Sequence, residues 1–259
     1  MKLGFIGMGN MASALARGFL TSGKVNAADL CAFDPAAEKL AAMAAELGFT
    51  ALDSEIAVAK SADVVIMACK PYHVEGAIAA MGKALGGKAV LSIALGWDHA
   101  RYRSLLAENV RVQFVMPNTP AMVGEGMFLF EKTTTLTEGE LAFFKELFAA
   151  IGEVEVLPSE LMGIGGALSG CGPAFVDLLI EAFADAGVYY GVPRDKAYKL
   201  VSQTVKGSAK LQLETGMHPG VLKDMVCSPA GSTIKGVAAL EHAGLRSACL
   251  FAIQSIMED

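Results

Sequence analysis

No stretch of the chain approaches the ~18 consecutive apolar residues of a bilayer-crossing helix, although 53% of its 259 residues are hydrophobic. With a mean hydropathy of +0.45, the apolar surplus is expected to be buried between helices and between subunits, and no membrane partner is expected. No lysine- or arginine-rich run interrupts the formal charge of −6, which argues against a nucleic-acid partner. Cys31, Cys69, Cys171, Cys227 and Cys249 are odd in number and contain no Cys-x-x-Cys pair. That excludes a disulfide framework and reads as free thiols in a reducing compartment. His73, His99, His218 and His242 lie far apart without metal-ligand spacing, so each is assigned a structural or surface role and no metal is expected. No internal repeat or low-complexity segment is visible. Met1-Lys2 runs directly into the first apolar segment, the reading of a cytoplasmic chain without a cleaved leader.

What the chain does have stands at its start. The apolar run Leu3 to Ile6 meets Gly7-x-Gly9-x-x-Ala12, and a helix follows with Met11, Leu15 and Phe19 at helical spacing. Gly7 suits a sharp turn, Gly9 a close approach of phosphate to bare backbone, and Ala12 the packing of helix on strand. The helix start offers N–H groups and a positive dipole end to an anion. Strand, glycine turn and helix in that order favour dinucleotide binding over a merely structural turn.

Strands are expected at 29–33, 49–52, 63–69, 88–93 and 110–115, with edge strands at 126–130 and 154–156. Helices alternate with them, among them 36–47, closed by Gly48, and one opened by the capping box Thr137-x-x-Glu140. This alternation predicts a mostly parallel, doubly wound sheet. After Pro158 no strand is expected. Helices are expected at 173–190, 193–215, 219–226, 234–242 and 245–257, so the domains divide as 1–157 and 158–259.

Asp34 ends the second strand, where an acidic side chain in such a fold accepts hydrogen bonds from the adenosine ribose; the same carboxylate is placed to cap the next helix. Pro35, Ala36 and Ala37 stand where a 2′-phosphate binder usually carries Arg or Ser, and Lys39 lies one turn further on. Lys70-Pro71 follows a buried strand at the carboxyl edge of the sheet, a ligand-facing position, although a lysine can equally face solvent. Asn118, in Met-Pro-Asn-Thr-Pro, is placed similarly, and its prolines also suit a rigid linker. Ser169-Gly-Cys-Gly-Pro173 and Ser228-Pro-Ala-Gly-Ser-Thr233 each open a helix with small residues. Either can be an ordinary capping turn or an anion cradle suited to a carboxylate.

Together these stretches resemble the pyrroline-5-carboxylate reductases. The resemblance covers nearly the whole chain: Gly4-Phe-Ile-Gly-Met-Gly-Asn-Met-Ala12, Ala68-Cys-Lys-Pro71, Ser92-Ile-Ala-Leu-Gly96, Met116-Pro-Asn-Thr-Pro120 and Ala167-Leu-Ser-Gly-Cys-Gly-Pro-Ala174. Its most diagnostic stretch is His218-Pro-Gly-x-Leu-Lys-Asp-x-Val-x-Ser-Pro-Ala-Gly-Ser-Thr-Ile234. It implies an N-terminal Rossmann-type doubly wound parallel sheet plus an all-α C-terminal dimerisation domain, in a homodimer of a kind that often assembles further into a decamer of five dimers. The implied reaction is reduction of the cyclic imine 1-pyrroline-5-carboxylate to L-proline by NADPH or NADH. Around that cofactor the resemblance places Ile6, Gly7, Met8, Gly9, Asn10, Met11, Ala12, Asp34, Ala68, Cys69, Lys70, Pro71, Ala94, Leu95 and Asn118. It places Ser228, Gly231, Ser232 and Thr233 on the substrate, with the Thr233 hydroxyl at the ring nitrogen as the catalytic group. Four positions depart from the family pattern: Phe114 replaces an Arg, Cys171 a Ser and Ala230 a Gly, and Glu55 stands where many members carry Asn near the ribose. Family habit points to NADPH, whereas Asp34 and Glu55 point to NADH.

Two other readings fit parts of the pattern. A related imine reductase or β-hydroxyacid dehydrogenase would carry a lysine in the helical half, nearest Lys206 or Lys210, but no motif surrounds either. A non-catalytic dinucleotide sensor would have no use for the loop from Ser228 to Thr233.

Overall fold

The computed structural model describes residues 1–258. Among them, contacts divide the chain into two compact units, Met1–Gly170 and a second that begins at Cys171.

The first unit is built on one sheet. Its strands are β1 (Leu3–Ile6), β2 (Leu30–Phe33), β3 (Thr50–Ala51), β4 (Val64–Met67), β5 (Ala89–Ser92), β6 (Arg111–Met116), β7 (Gly126–Glu131) and β8 (Gly152–Leu157). Their spatial order is β3-β2-β1-β4-β5-β6-β7-β8, and every pair is parallel except β6 with β7. Between them run α1 (Asn10–Thr21), α2 (Ala37–Leu47), α3 (Glu55–Ser61), α4 (Val74–Met81), α5 (His99–Arg103) and α6 (Glu138–Ala149).

The strands are apolar along their length because both faces are covered. Phe5, Ile66 and Leu91 join Leu15 and Phe19 of α1 and Phe144 and Phe148 of α6 in one core cluster. Ile6, Val65, Met67 and Val90, pointing the opposite way from their neighbours, meet Val58 of α3 and Val74 and Met81 of α4 in another. The expected doubly wound sheet is therefore present. Thr137 and Glu140 form the anticipated capping box, and Glu140 is also bidentate to Arg111.

Three expectations need correction. The segment 126–130 is no edge strand: β7 lies inside the sheet between β6 and β8, and of the two expected edge strands β8 alone is an edge, the sheet's other edge being β3. A helix missing from the sequence reading, α7 (Met162–Ser169), packs on β7 within the first unit. It can lie so close because Gly166 and Gly165 carry no side chain: a Cβ there would fall 2.3 Å from Met116 Sδ and 2.6 Å from a Leu157 methyl. Finally, Ser159–Tyr189 contains a helical window of mean hydropathy 1.4, long and apolar enough by that measure to cross a membrane. Interspersed glycines hide its length when only unbroken apolar runs are sought.

The second unit is helical among the described residues: α8 (Gly172–Tyr189), α9 (Arg194–Thr215), α10 (Pro219–Met225), α11 (Ser232–His242) and α12 (Leu245–Met257). Helices α8 and α9 pack on each other where Ala184 and Ala197 are buried and Gly187 approaches the Ala197 methyl. Yet Leu178, Leu200, Leu213, Leu250 and Phe251 are each more than 60% exposed in the single chain. An apolar surface of this extent marks an interface rather than a solvated face.

Candidate active site

The sheet reverses its winding between β1 and β4, and the crevice at such a switch point is where open α/β folds bind ligands. Gly7 sits there. Its N–H donates to Phe33 O at 2.8 Å, its φ is +91°, and a Cβ would lie 2.8 Å from the Cys69 backbone nitrogen. A side chain is thus excluded twice over, by the left-handed backbone and by the end of β4. Gly9 differs: a Cβ there would meet nothing within 4 Å. Its carbonyl accepts from the Ser13 N–H and Oγ, starting α1, and no side chain caps the N–H groups of Asn10, Met11 and Ala12. Ala12 itself is buried, packing the helix to the sheet.

Asp34 locks this turn. Its Oδ2 accepts from the Met8 N–H at 2.7 Å and its Oδ1 from the Ala36 N–H at 2.8 Å. The carboxylate therefore both caps the approach to α2 and ties β2 to the glycine turn, with its orientation set by two backbone donors.

A cavity of about 500 Å³ opens over these residues. Of the predicted positions, Ile6, Gly7, Gly9, Asp34, Ala68, Cys69 and Lys70 line it. Glu55 adds a second carboxylate, and His73 brings an imidazole on the turn after β4. His73 is exposed, in keeping with the surface role expected of it, and the surface it occupies is the rim of this cavity. Burial pushes the Cys69 thiol up to about 11, with nearby Glu55 adding to the shift, so at neutral pH it is an uncharged part of the wall.

The remaining predicted positions lie outside that wall. Met8 and Ala94 are buried, and the Ala94 N–H donates to Ser92 Oγ at 3.2 Å. Pro71 accepts the indole N–H of Trp97, and Leu95 is exposed. Asn118 is buried with its carboxamide already engaged: it receives the Met127 N–H at 2.8 Å and donates to Ser169 O at 3.0 Å. This ties β7 to the end of α7. Phe114 is buried beside Met116, Leu129 and Met162, where the charge of an Arg would be unfavourable.

In the second unit, Ser228 to Gly231 form a turn closed by the Gly231 N–H on Ser228 O at 3.0 Å. Pro229 and Ala230 are its central residues, and Ala230 has φ +59°, unique among the described non-glycine residues. That conformation favours glycine, so the alanine carries strain on the order of 1–2 kcal/mol. Gly231 packs on Ser228, where a Cβ would lie 2.4 Å from Oγ. Helix α11 then starts at Ser232, two residues earlier than expected, which puts Thr233 in its first turn with its side chain exposed.

The glycine turn, the uncapped helix start and the open space at Gly9 fit the pyrophosphate of a dinucleotide. If Gly9 faces it, Gly9→Ala should raise the KM for the cofactor about 10-fold while leaving Tm unchanged, because the methyl has room in the protein alone. Steady-state kinetics and thermal melts check both halves.

Comparison with known proteins agrees with this architecture. Residues 2–96 match the family model described as NADP oxidoreductase coenzyme F420-dependent, and residues 159–259 match that of pyrroline-5-carboxylate reductase dimerisation. The Escherichia coli (strain K12) pyrroline-5-carboxylate reductase is 39% identical over 258 residues, spanning 99% of this chain and 96% of that protein. The Methanosarcina acetivorans enzyme is 40% identical, spanning 97% of this chain and 94% of that one. The crystal structure of Plasmodium falciparum pyrroline carboxylate reductase with NADP bound superposes with a TM-score of 0.90 at 29% identity, covering 100% of this chain and 96% of that one. With likeness running through both halves at nearly full length, this chain belongs to the pyrroline-5-carboxylate reductase family.

Proposed function

We propose that this enzyme reduces 1-pyrroline-5-carboxylate to L-proline with two built features, the cavity over Gly7, Gly9 and Asp34 for the cofactor and the loop from Ser228 to Thr233 for the substrate. The reductase activity follows from the family, and the observation that carries the cofactor assignment is the switch-point cavity. When bound, reduced NAD(P) supplies a hydride for the C=N carbon. The chain's own residues bind, orient and protect. The N–H groups of Asn10 to Ala12 and the bare backbone at Gly9 hold the pyrophosphate, Asp34 holds the ribose, and Ala68 to Lys70 wall the site. Ser228, Gly231 and Ser232 receive the substrate carboxylate at the uncapped start of α11. Thr233 hydrogen-bonds the ring nitrogen. A protonated imine is already a good hydride acceptor, so orientation and exclusion of water supply most of the rate and no strong acid is required. Consumption of nicotinamide absorbance with pyrroline-5-carboxylate, and none without it, tests the activity; an inert protein that still binds cofactor would favour the sensor reading.

The dehydrogenase alternative loses support from Lys210, which lies on the surface in an i,i+4 pair with Glu214. For function the chain divides at 157/158, with α7 the part of the helical half that folds against the sheet. Residues 158–259 form the dimerisation half of a cytoplasmic enzyme, and five dimers can assemble into a decamer. Supporting this, the apolar window within Ser159–Tyr189 is only 17% buried in the single chain and falls in the stretch matched to a dimerisation domain. Sedimentation at low micromolar concentration should show a dimer or a multiple of it. A folded, active monomer would overturn the assignment.

A further inference from the structure

We propose that Trp97 is a positioning residue, whose indole N–H fixes the turn from Ala68 to His73 and so sets the affinity for the dinucleotide. The inference rests on the cofactor reading of that cavity. Trp97 is the sole tryptophan and is 1% exposed. It lies after β5, while its Nε1 donates at 2.9 Å to the carbonyl of Pro71 after β4. The two loops carry the predicted cofactor residues Ala68 to Pro71 and Ala94 to Leu95, and the indole joins them across the sheet edge. At its own end the brace is closed by the Trp97 N–H on Ala94 O at 3.1 Å. At the other, the His73 N–H returns to Lys70 O at 2.8 Å, making a tight turn whose Cys69, Lys70 and His73 line the cavity.

Two side chains of α5 hold the ring. The Arg101 guanidinium sits 4.0 Å from its centroid and also pairs with Glu75 of α4 at 3.6 Å, and Tyr102 meets it at 5.2 Å. A buried indole N–H needs an acceptor, and the one it uses here is a carbonyl of the ligand-facing turn. Pro71 O also accepts the Val74 N–H. Losing the indole donor therefore leaves no orphaned carbonyl, and the loss should register in the orientation of the turn more than in folding.

The test replaces Trp97 by its isostere benzothienylalanine, which has sulfur in place of N–H, and separately by Phe. In the full-length enzyme both should weaken NADH and NADPH binding about 5- to 20-fold, with kcat at saturating cofactor within about twofold and the substrate KM unchanged. Unaltered cofactor affinity in the isostere would overturn the proposal, even if Trp97→Phe is impaired, because packing alone would then be at work. Gly9→Ala separates the two levels. If it weakens cofactor binding while the isostere does not, the brace fails and the cavity stands; if neither changes affinity, both readings fail.

Discussion

Thr233→Ala should lower kcat/KM for pyrroline-5-carboxylate by roughly 10- to 1000-fold, the range for losing a hydroxyl that positions or protonates a reacting nitrogen. Stability should hardly move, by about 0.5 kcal/mol or less, because the side chain is exposed in the first turn of α11. Several features make this hydroxyl the one to remove. The preceding turn is held by the Gly231-to-Ser228 bond and a strained Ala230, which aim the start of α11. The conservative Thr233→Ser keeps the oxygen and should retain activity within about threefold. Steady-state kinetics and melting curves on the pair check the expectation. Kinetics unchanged in Thr233→Ala would remove this residue from the reaction.

The ratio of kcat/KM for NADH to that for NADPH should be at least one, and removing the charge at Asp34 should shift it toward NADPH by roughly 5- to 150-fold. That range corresponds to ~1–3 kcal/mol for one uncompensated carboxylate near the 2′-phosphate. The structure strengthens the argument, because Asp34 is clamped by the Met8 and Ala36 N–H groups and has little freedom to swing aside. Glu55 lines the same cavity and adds negative potential. Lys70 also lines it and opposes that potential, whereas Lys39 is exposed on α2 and supplies no bidentate clamp. Asp34→Asn is the cleaner substitution, since its carbonyl still accepts one of the two backbone donors. Both cofactors are compared at matched ionic strength, which scales any charge effect. A tenfold or greater wild-type preference for NADPH would show that the cationic side of the cavity dominates.

Much of this is legible in the amino-acid sequence. The glycine turn, the continuous apolar strands and the capping box at Thr137 declare themselves through residues a few positions apart, because turn and helix chemistry is local. The resemblance added the loop from Ser228 to Thr233, whose small residues alone suit capping as well as binding. Helix starts at Pro219 and Leu245 coincide with the expected ones for the same local reason.

Other features depend on partners far away in the chain. Asp34 reads as a ribose ligand or a helix cap; that it also clamps the Met8 N–H, 26 positions back, is a tertiary fact. Asn118 shows a ligand-like position in sequence, yet its carboxamide bridges Met127 and Ser169, the latter 51 positions further along the chain than Asn118. The inner place of β7 could not be read from its six residues, since β6 pairs with it antiparallel and any apolar strand can lie inside or at an edge. His73 and Trp97 carry no motif at all. The amino-acid sequence by itself determined which segments become strands, turns and helices and which family the chain resembles, because these rest on local pattern. Only the tertiary structure decided which of the candidate polar groups face a cavity and which are consumed in holding the chain together, because a hydrogen-bond donor or acceptor is assigned its role by whatever the fold places about 3 Å away.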